Sequence, residues 1–288
     1  MSKAFNLRVS NSSKFSTIYS SPHSGSNYTK EFLAKSNLSL LELRSSEDAF
    51  IGELFKTSTK YDSVFIEATF PRSFVDLNRS DLELDPKLLK GDFHYHRTPR
   101  NLAGFGVIPR LSGKKTPIYN GFLSLDEAQN RLIDFYYPFH ESLLNLIREA
   151  KHSSGYAIIF DCHSMPSVFP AFEATKHRGN TPDIVLGDSN GASCNPRLTK
   201  KVKSTFERRG FSVSINHPFA GGFITKNYGN PQQKIHAIQI EINRGLYMDE
   251  TQIEPNRNFK AFKSTLAGII KELSNISQSE NFFDVVTE

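Results

Sequence analysis

Residues 156–166 read YAIIFDCHSMP, with an uninterrupted apolar run from Ala157 to Phe160 followed by Asp161, Cys162 and His163. Ser164 and Pro166 end the run, so the stretch reads as a buried strand that delivers polar groups at its carboxyl end. Working outward, Thr17–Tyr19, Val64–Phe70, Phe211–Ile215 and His236–Ile242 are similar short runs, each bounded by Ser, Pro, Gly or Asn. Helical patterns lie between them. Ser124 followed by Glu127 predicts a capping box, and an apolar stripe then runs through Leu125, Ala128, Leu132, Phe135 and Phe139 to Ile147, with a kink predicted at Pro138. Asn195, Pro196 and Gly210 delimit a second helix with Leu198, Val202 and Phe206 inward, and a third runs from about Asn258 to Leu273. Strand and helix alternate, which predicts an α/β fold with a largely parallel or mixed sheet. From Asp81 to Gly121 the chain predicts a long irregular loop holding His94, His96, Arg97, Arg100 and Arg110, and such loops usually carry function.

With 288 residues the chain predicts one sizeable domain, 1–288, that buries a core without crosslinks, and its polar tail from Ser274 reads as frayed surface. Two cysteines, Cys162 and Cys194, make neither a disulfide framework nor a Cys-rich zinc module, and they point to a reducing, cytoplasmic setting. The net charge of +5 is spread along the chain. It suits an anionic small molecule and lacks the basic cluster of a nucleic-acid binder. No window approaches the roughly 20 apolar residues of a membrane span, and the amino terminus does not read as a signal peptide. The expectation is a soluble protein with no nucleic-acid or membrane partner. Its oligomeric state is not legible.

In open α/β sheets ligands bind beyond the carboxyl ends of the strands. There the sequence places His23 after TIYSS, His163 after AIIFDC, Asp76, Asn78 and Arg79 after FIEATFPRSFV, and Glu241 near the end of HAIQIEI. Each residue also has a plain reading. His23 suits a turn beside Pro22 and Gly25, and Glu241 suits the solvent face of an edge strand. Asp48 in SSEDAFIGELF suits a helix amino terminus, where it favours the dipole. Asn78 and Arg79 suit a turn and a surface charge, although together they also form a fork for a carboxylate. Cys162 beside His163 invites a Cys-His nucleophile, but strand neighbours point to opposite faces.

The segments SPHSG, DLNRS, FDCHSMP, INHPFAGGF with the later YGNP, and AIQIEINRGLYMDE occur in this order. In this the chain resembles the N-formylglutamate amidohydrolases, from about Ile18 to the last helix. The resemblance implies a three-layer αβα fold with a mixed central sheet, like that of the zinc carboxypeptidases and aspartoacylase and of phosphorylase/hydrolase-like type. It also implies one zinc ion and hydrolysis of the linear amide of N-formyl-L-glutamate to formate and L-glutamate in histidine degradation. By the same resemblance His23 and His163 are zinc ligands, Asn78 and Arg79 hold the substrate carboxylate, and Glu241 is the base. The carboxypeptidase spacing would place an acid at position 26, where Ser26 stands; the resemblance to the formylglutamate branch implies instead an acid in the SSEDAF segment, Asp48, with Glu47 as the alternative. A substrate with two carboxylates calls for a second cation, Arg244 or else Arg97 or Arg100, and Gly221 and Gly222 allow backbone approach to a ligand. Two imidazoles and one carboxylate leave a fourth zinc position open, the catalytic arrangement. The alternatives are the same site acting on another N-acyl amino acid or small peptide-like acid, or a non-catalytic binder of acidic ligands.

Overall fold

The computed structural model describes residues 3–10, 14–168 and 181–276. Its strands are β1 Phe5–Arg8, β2 Thr17–Ser21, β3 Ser63–Ala68, β4 Leu89–Lys90, β5 Leu123–Ser124, β6 Ala157–Met165, β7 Ile184–Gly187, β8 Val213–Ile215, β9 Ile235–Asn243, β10 Met248–Asp249 and β11 Glu254–Pro255. The main sheet has seven strands in the order β1-β3-β2-β6-β9-β7-β8. It is mixed: β2, β6 and β9 run parallel, β7 lies antiparallel to β9, and β8 is parallel to β7. The α/β class with a mixed central sheet is therefore present as expected.

Every expected strand forms. The 156–166 stretch extends further than its apolar run, because β6 continues through His163 to Met165 and all nine of its residues are buried. Burial on both faces is what a strand inside an α/β sheet requires. β9 is likewise internal, flanked by β6 and β7, so Glu241 does not sit on a solvent-facing edge strand. Its side chain is only 7% exposed.

Clustering of contacts divides the chain into two compact units. The larger comprises residues 7–21, 50–66 and 144–288 and holds most of the main sheet. In it the helix Pro196–Glu207 packs on β7 and β8, the helix Ile51–Phe55 packs on β2 and β6, and the helix Phe259–Ser274 lies against both helices. Asn195 caps the helix Pro196–Glu207 by accepting from the Arg197 amide, and Leu198, Val202 and Phe206 are its buried face. The expected frayed tail falls mostly on residues 277–288, outside the described residues, but the helix itself reaches Ser274 and Ile276 is buried.

The smaller unit comprises residues 1–6, 22–49 and 67–143. Aromatic rings hold it together: Phe74 meets Phe32, Phe70 and Phe135 edge-on, and the Arg131 guanidinium lies 4.1 Å above the Phe74 ring. Ser124 caps the helix Leu125–Arg131, but the expected capping box is not closed, because the Glu127 carboxylate pairs with Lys35 and Arg131 instead. The irregularity expected at Pro138 takes the form of a π-helical turn just before it, Leu132–Tyr136. Pro138 falls in the first turn of the following helix Tyr137–Ser154, where its missing N–H is tolerated. The segment 81–121 is less irregular than its sequence suggests. β4 pairs with β5, Pro99–Leu102 forms a helical turn, and buried Asn101 donates to the carbonyls of Leu84 and His96. Among the described residues no helix is long and apolar enough to cross a membrane.

Candidate active site

The sheet sets one half of the arrangement. β6 and β9 pair with His163 opposite Glu241, and β7 continues the row with Val185 opposite Glu241. Residues directly opposite one another project to the same face, so an imidazole and a carboxylate stand side by side near the carboxyl ends of two parallel central strands. Two residue pairs earlier, Asp161 lies opposite Gln239 on that same face. Asp161 Oδ2 is 2.9 Å from His163 Nε2, and Gln239 Nε2 donates to Glu241 Oε1 at 2.7 Å. The i,i+2 spacing along each strand makes both contacts possible. Asp161 therefore holds the His163 ring by Nε2. Cys162 points to the other face, and burial pushes its thiol well above the usual range, which removes it as a nucleophile.

The smaller unit holds a cluster of its own. His23 follows β2 closely, in the SPHSG turn, where Gly25 passes so near Phe70 that a Cβ would lie 2.2 Å from the Phe70 carbonyl oxygen. His23 Nε2 is 2.7 Å from Asp76 Oδ1, and His23 Nδ1 is 3.4 Å from Asp48 Oδ2. The second distance bears on metal binding. Two donors bound tetrahedrally to zinc at about 2.0–2.1 Å stand about 3.3–3.4 Å apart, so the His23–Asp48 spacing is that of two ligands of one ion. Asp76 then orients His23 from behind as Asp161 orients His163. His23, Asp48 and His163 make up the candidate metal-ligand set, and all three are buried.

Asp76 is a hub. Besides His23 it accepts from Arg72 Nε at 2.9 Å and from the Asn78 amide at 2.9 Å, and Arg79 approaches to 3.7 Å. Burial alone would raise its pKa, but Arg72, Arg79 and His23 together hold the carboxyl well below its ordinary value. Arg79 is also buried. Its NH1 donates to the Asn78 carbonyl and its Nε to that of Phe105, and burial lowers its pKa to about 10 against the opposing pull of Asp76, so it stays a cation at neutral pH. The DLNR segment is pinned from behind as well: Tyr136, the last residue of the π-helical turn, donates its hydroxyl to the Arg79 carbonyl, and His140 Nε2 lies 3.0 Å from the Leu77 carbonyl.

The remaining expected residues are dispersed. Glu47 and Asp48 both lie in the turn between the helices Leu40–Arg44 and Ile51–Phe55. The Glu47 carboxylate is engaged by the Tyr28 hydroxyl at 2.6 Å and by Arg44, whereas Asp48 is the acid beside His23. Arg244 opens the 3₁₀ turn after β9 and donates its Nε to Ser164 at 3.0 Å. Arg97 and Arg100 are exposed. Gly221 takes a positive φ of 118°, and Gly222 precedes the helix Phe223–Tyr228. Sequence reasoning gave no role to Asp76 or Asp161. The Asp161–His163 spacing on a strand was a signal for one of them, while the Asp76–His23 contact spans 53 residues and has no local signature.

Each unit carries a carboxylate-backed imidazole, His23 with Asp76 and His163 with Asp161, and the larger also carries the buried Glu241; such side chains are those of a hydrolase. A sequence model of the N-formylglutamate amidohydrolase family matches residues 15–248, and the chain belongs to that family. It is 30% identical over 241 residues to the N-formylglutamate deformylase of Pseudomonas putida, covering 82% of each chain. With the N-formylglutamate deformylase of Pseudomonas aeruginosa it shares 31% identity over 206 residues, 70% of this chain and 71% of that one. The crystal structure of N-formylglutamate amidohydrolase from Ralstonia eutropha JMP134 superposes with a TM-score of 0.89 at 28% identity, covering 96% of this chain and 98% of that one.

Proposed function

We propose that this protein is a zinc-dependent amidohydrolase that cleaves N-formyl-L-glutamate to formate and L-glutamate, in the cytoplasm and in the service of histidine breakdown. The observation that carries the metal part is the 3.4 Å edge between His23 Nδ1 and Asp48 Oδ2, with Asp76 behind the imidazole. His163, backed by Asp161, supplies the third donor. The substrate follows from the relatives, which are named for N-formylglutamate. When bound, the ion polarises the amide carbonyl and lowers the pKa of water.

Glu241, fixed by Gln239 and paired across the strands with His163, takes a proton from the attacking water. The hydroxyl oxygen bonds to the formyl carbon, the carbon–nitrogen bond breaks, and the proton passes from Glu241 to the departing amine. Asn78 and the Arg79 cation grip one substrate carboxylate, held in readiness by Asp76, Tyr136 and the Phe105 carbonyl. Arg244 is the cation for the second carboxylate. Gly221 and Gly222 admit the ligand to backbone contact.

The test is metal analysis of the purified protein together with formate release from N-formylglutamate before and after chelation. About one zinc per chain, with activity lost on chelation and restored by zinc, is the expected result. Activity that survives complete removal of metal contradicts the proposal. A zinc-loaded protein that binds acidic ligands but releases no formate is a binder.

A further inference from the structure

On the sheet face that carries His163 and Glu241, a small apolar cluster lies beside the polar pair. Met165 lies two residues beyond His163 on β6, and Val185 lies opposite Glu241 on β7, so both share that face. Both are buried, and Phe219 packs on the pair from above as a partly buried ring. The cluster flanks the His163–Glu241 pair: Met165 follows His163 on β6, and Val185 stands beside Glu241 on β7, on the side away from His163. Apolar side chains beside a general base limit what can approach it.

Phe219 is fixed by its backbone. The loop 216–222 is tied to β7 on both sides of the ring. Before it, the Asn216 amide donates to the Leu186 carbonyl at 2.7 Å, and the Asn216 side chain exchanges two hydrogen bonds with Asp188. After it, the Ser189 amide donates to the Ala220 carbonyl at 2.6 Å. Gly187 makes this approach possible. It lies opposite Gln239, so its missing side chain would point to the Glu241 face, where a Cβ would be 2.6 Å from the Gly221 nitrogen and 2.7 Å from the Ala220 carbonyl carbon. The loop backbone occupies that space instead. It covers the catalytic face and brings the Phe219 ring down beside Val185.

The geometry points to Phe219 as the residue that sets acyl size, by filling the space next to Glu241 that any substituent on the substrate acyl carbon larger than hydrogen would need. This rests on the amidohydrolase reading above. A base must stand within hydrogen-bond reach of the water that attacks the acyl carbon, so the substituent on that carbon lies a few ångströms from the base. A formyl group presents only hydrogen there, and an acetyl group presents a methyl that competes with the ring. Removing the ring admits the methyl, and water then releases acetate and glutamate from N-acetylglutamate by the same bond changes.

The experiment compares kcat/KM for N-formyl- and N-acetyl-L-glutamate in the zinc-loaded wild type, Phe219→Ala and Phe219→Leu. One methyl group in an apolar pocket is discriminated by about 10 to 200-fold. Phe219→Ala should therefore shift the acetyl-to-formyl ratio at least tenfold towards acetyl, with a smaller shift for Phe219→Leu. A general loss of stability lowers both substrates together and leaves the ratio unmoved, so the ratio reports pocket shape. If the Ala variant does not fold, the Leu variant decides by the same ratio. A variant that hydrolyses N-formylglutamate with the wild-type ratio overturns the role of Phe219 and leaves the proposed function standing. A zinc-loaded wild type inert towards N-formylglutamate overturns both.

Discussion

Replacing Asp76 by Asn removes a buried charge while keeping the side-chain shape. Asp76 is 1% exposed, its Oδ1 serves His23 and the Asn78 amide, and its Oδ2 serves Arg72. An asparagine that keeps its oxygen in the first position turns its NH₂ group towards Arg72 Nε, now donor against donor at a site built for 2.9 Å. Turned the other way, it faces His23 and the Asn78 amide with the same conflict. Breaking a buried ion pair by removing one partner costs about 3–5 kcal/mol. Arg72 is 29% exposed and can swing towards water, which puts the expected loss near the lower end, about 3 kcal/mol. His23 also loses the carboxylate that orients it, and loss of such a partner lowers metal affinity about 10 to 100-fold. Urea unfolding of the metal-free protein reads the first quantity, and competition with a zinc chelator reads the second. An unfolding free energy within about 0.5 kcal/mol of wild type, together with unchanged zinc affinity, would refute the hub role of Asp76.

Asp48→Ala should abolish tight zinc binding, whereas Glu47→Ala should leave it nearly intact, because the Glu47 carboxylate serves Tyr28 and Arg44; equal zinc retention in the two variants would reverse that assignment. His140 and His236 are kept neutral by burial, each with its pKa lowered from 6.5 to about 4. Between those values the unfolded chain binds protons that the folded one does not, so stability falls as pH drops from about 6.5 to about 4, by up to about 3 kcal/mol per histidine. His140→Gln, which keeps a donor for Leu77, should flatten that slope in urea titrations, and an unchanged slope would show that His140 does not contribute. Tyr136→Phe removes the hydroxyl that holds the Arg79 carbonyl, at a cost of about 1 kcal/mol in stability. It should raise KM for N-formylglutamate more than it lowers kcat; the opposite split would detach Tyr136 from substrate positioning.

The strands and their polar ends were readable because burial and chain direction leave local marks: an apolar run, a stop at Ser or Pro, and an acid or imidazole at the boundary. Asn195 and Ser124 announced their helices for the same reason, since a cap acts within one turn. What escaped depends on contacts distant in sequence. Glu241 is an interior residue only because β7 folds back antiparallel beside β9. The Glu127 carboxylate leaves its capping role for Lys35 and Arg131, which no three-residue motif foretells. The hub at Asp76 joins residues 23, 72, 78 and 79, and a pattern that reads only neighbours finds its arginines but not the histidine they help to hold. In the segment 81–121, Asp85 and Asn101 replace regular structure with side-chain bonds, so the Gly and Pro content alone suggested a looser loop than the one that forms.

The central claim is that Glu241 moves the proton in a zinc-dependent cleavage of N-formylglutamate. Its most direct test is formate release by zinc-loaded Glu241→Gln protein, with bound metal measured on the same sample. The amide preserves shape but cannot accept the proton from water, and general base catalysis contributes about 10² to 10⁴ in rate. Full zinc occupancy with kcat reduced at least a hundredfold is the predicted result. Full occupancy with near wild-type turnover would contradict it.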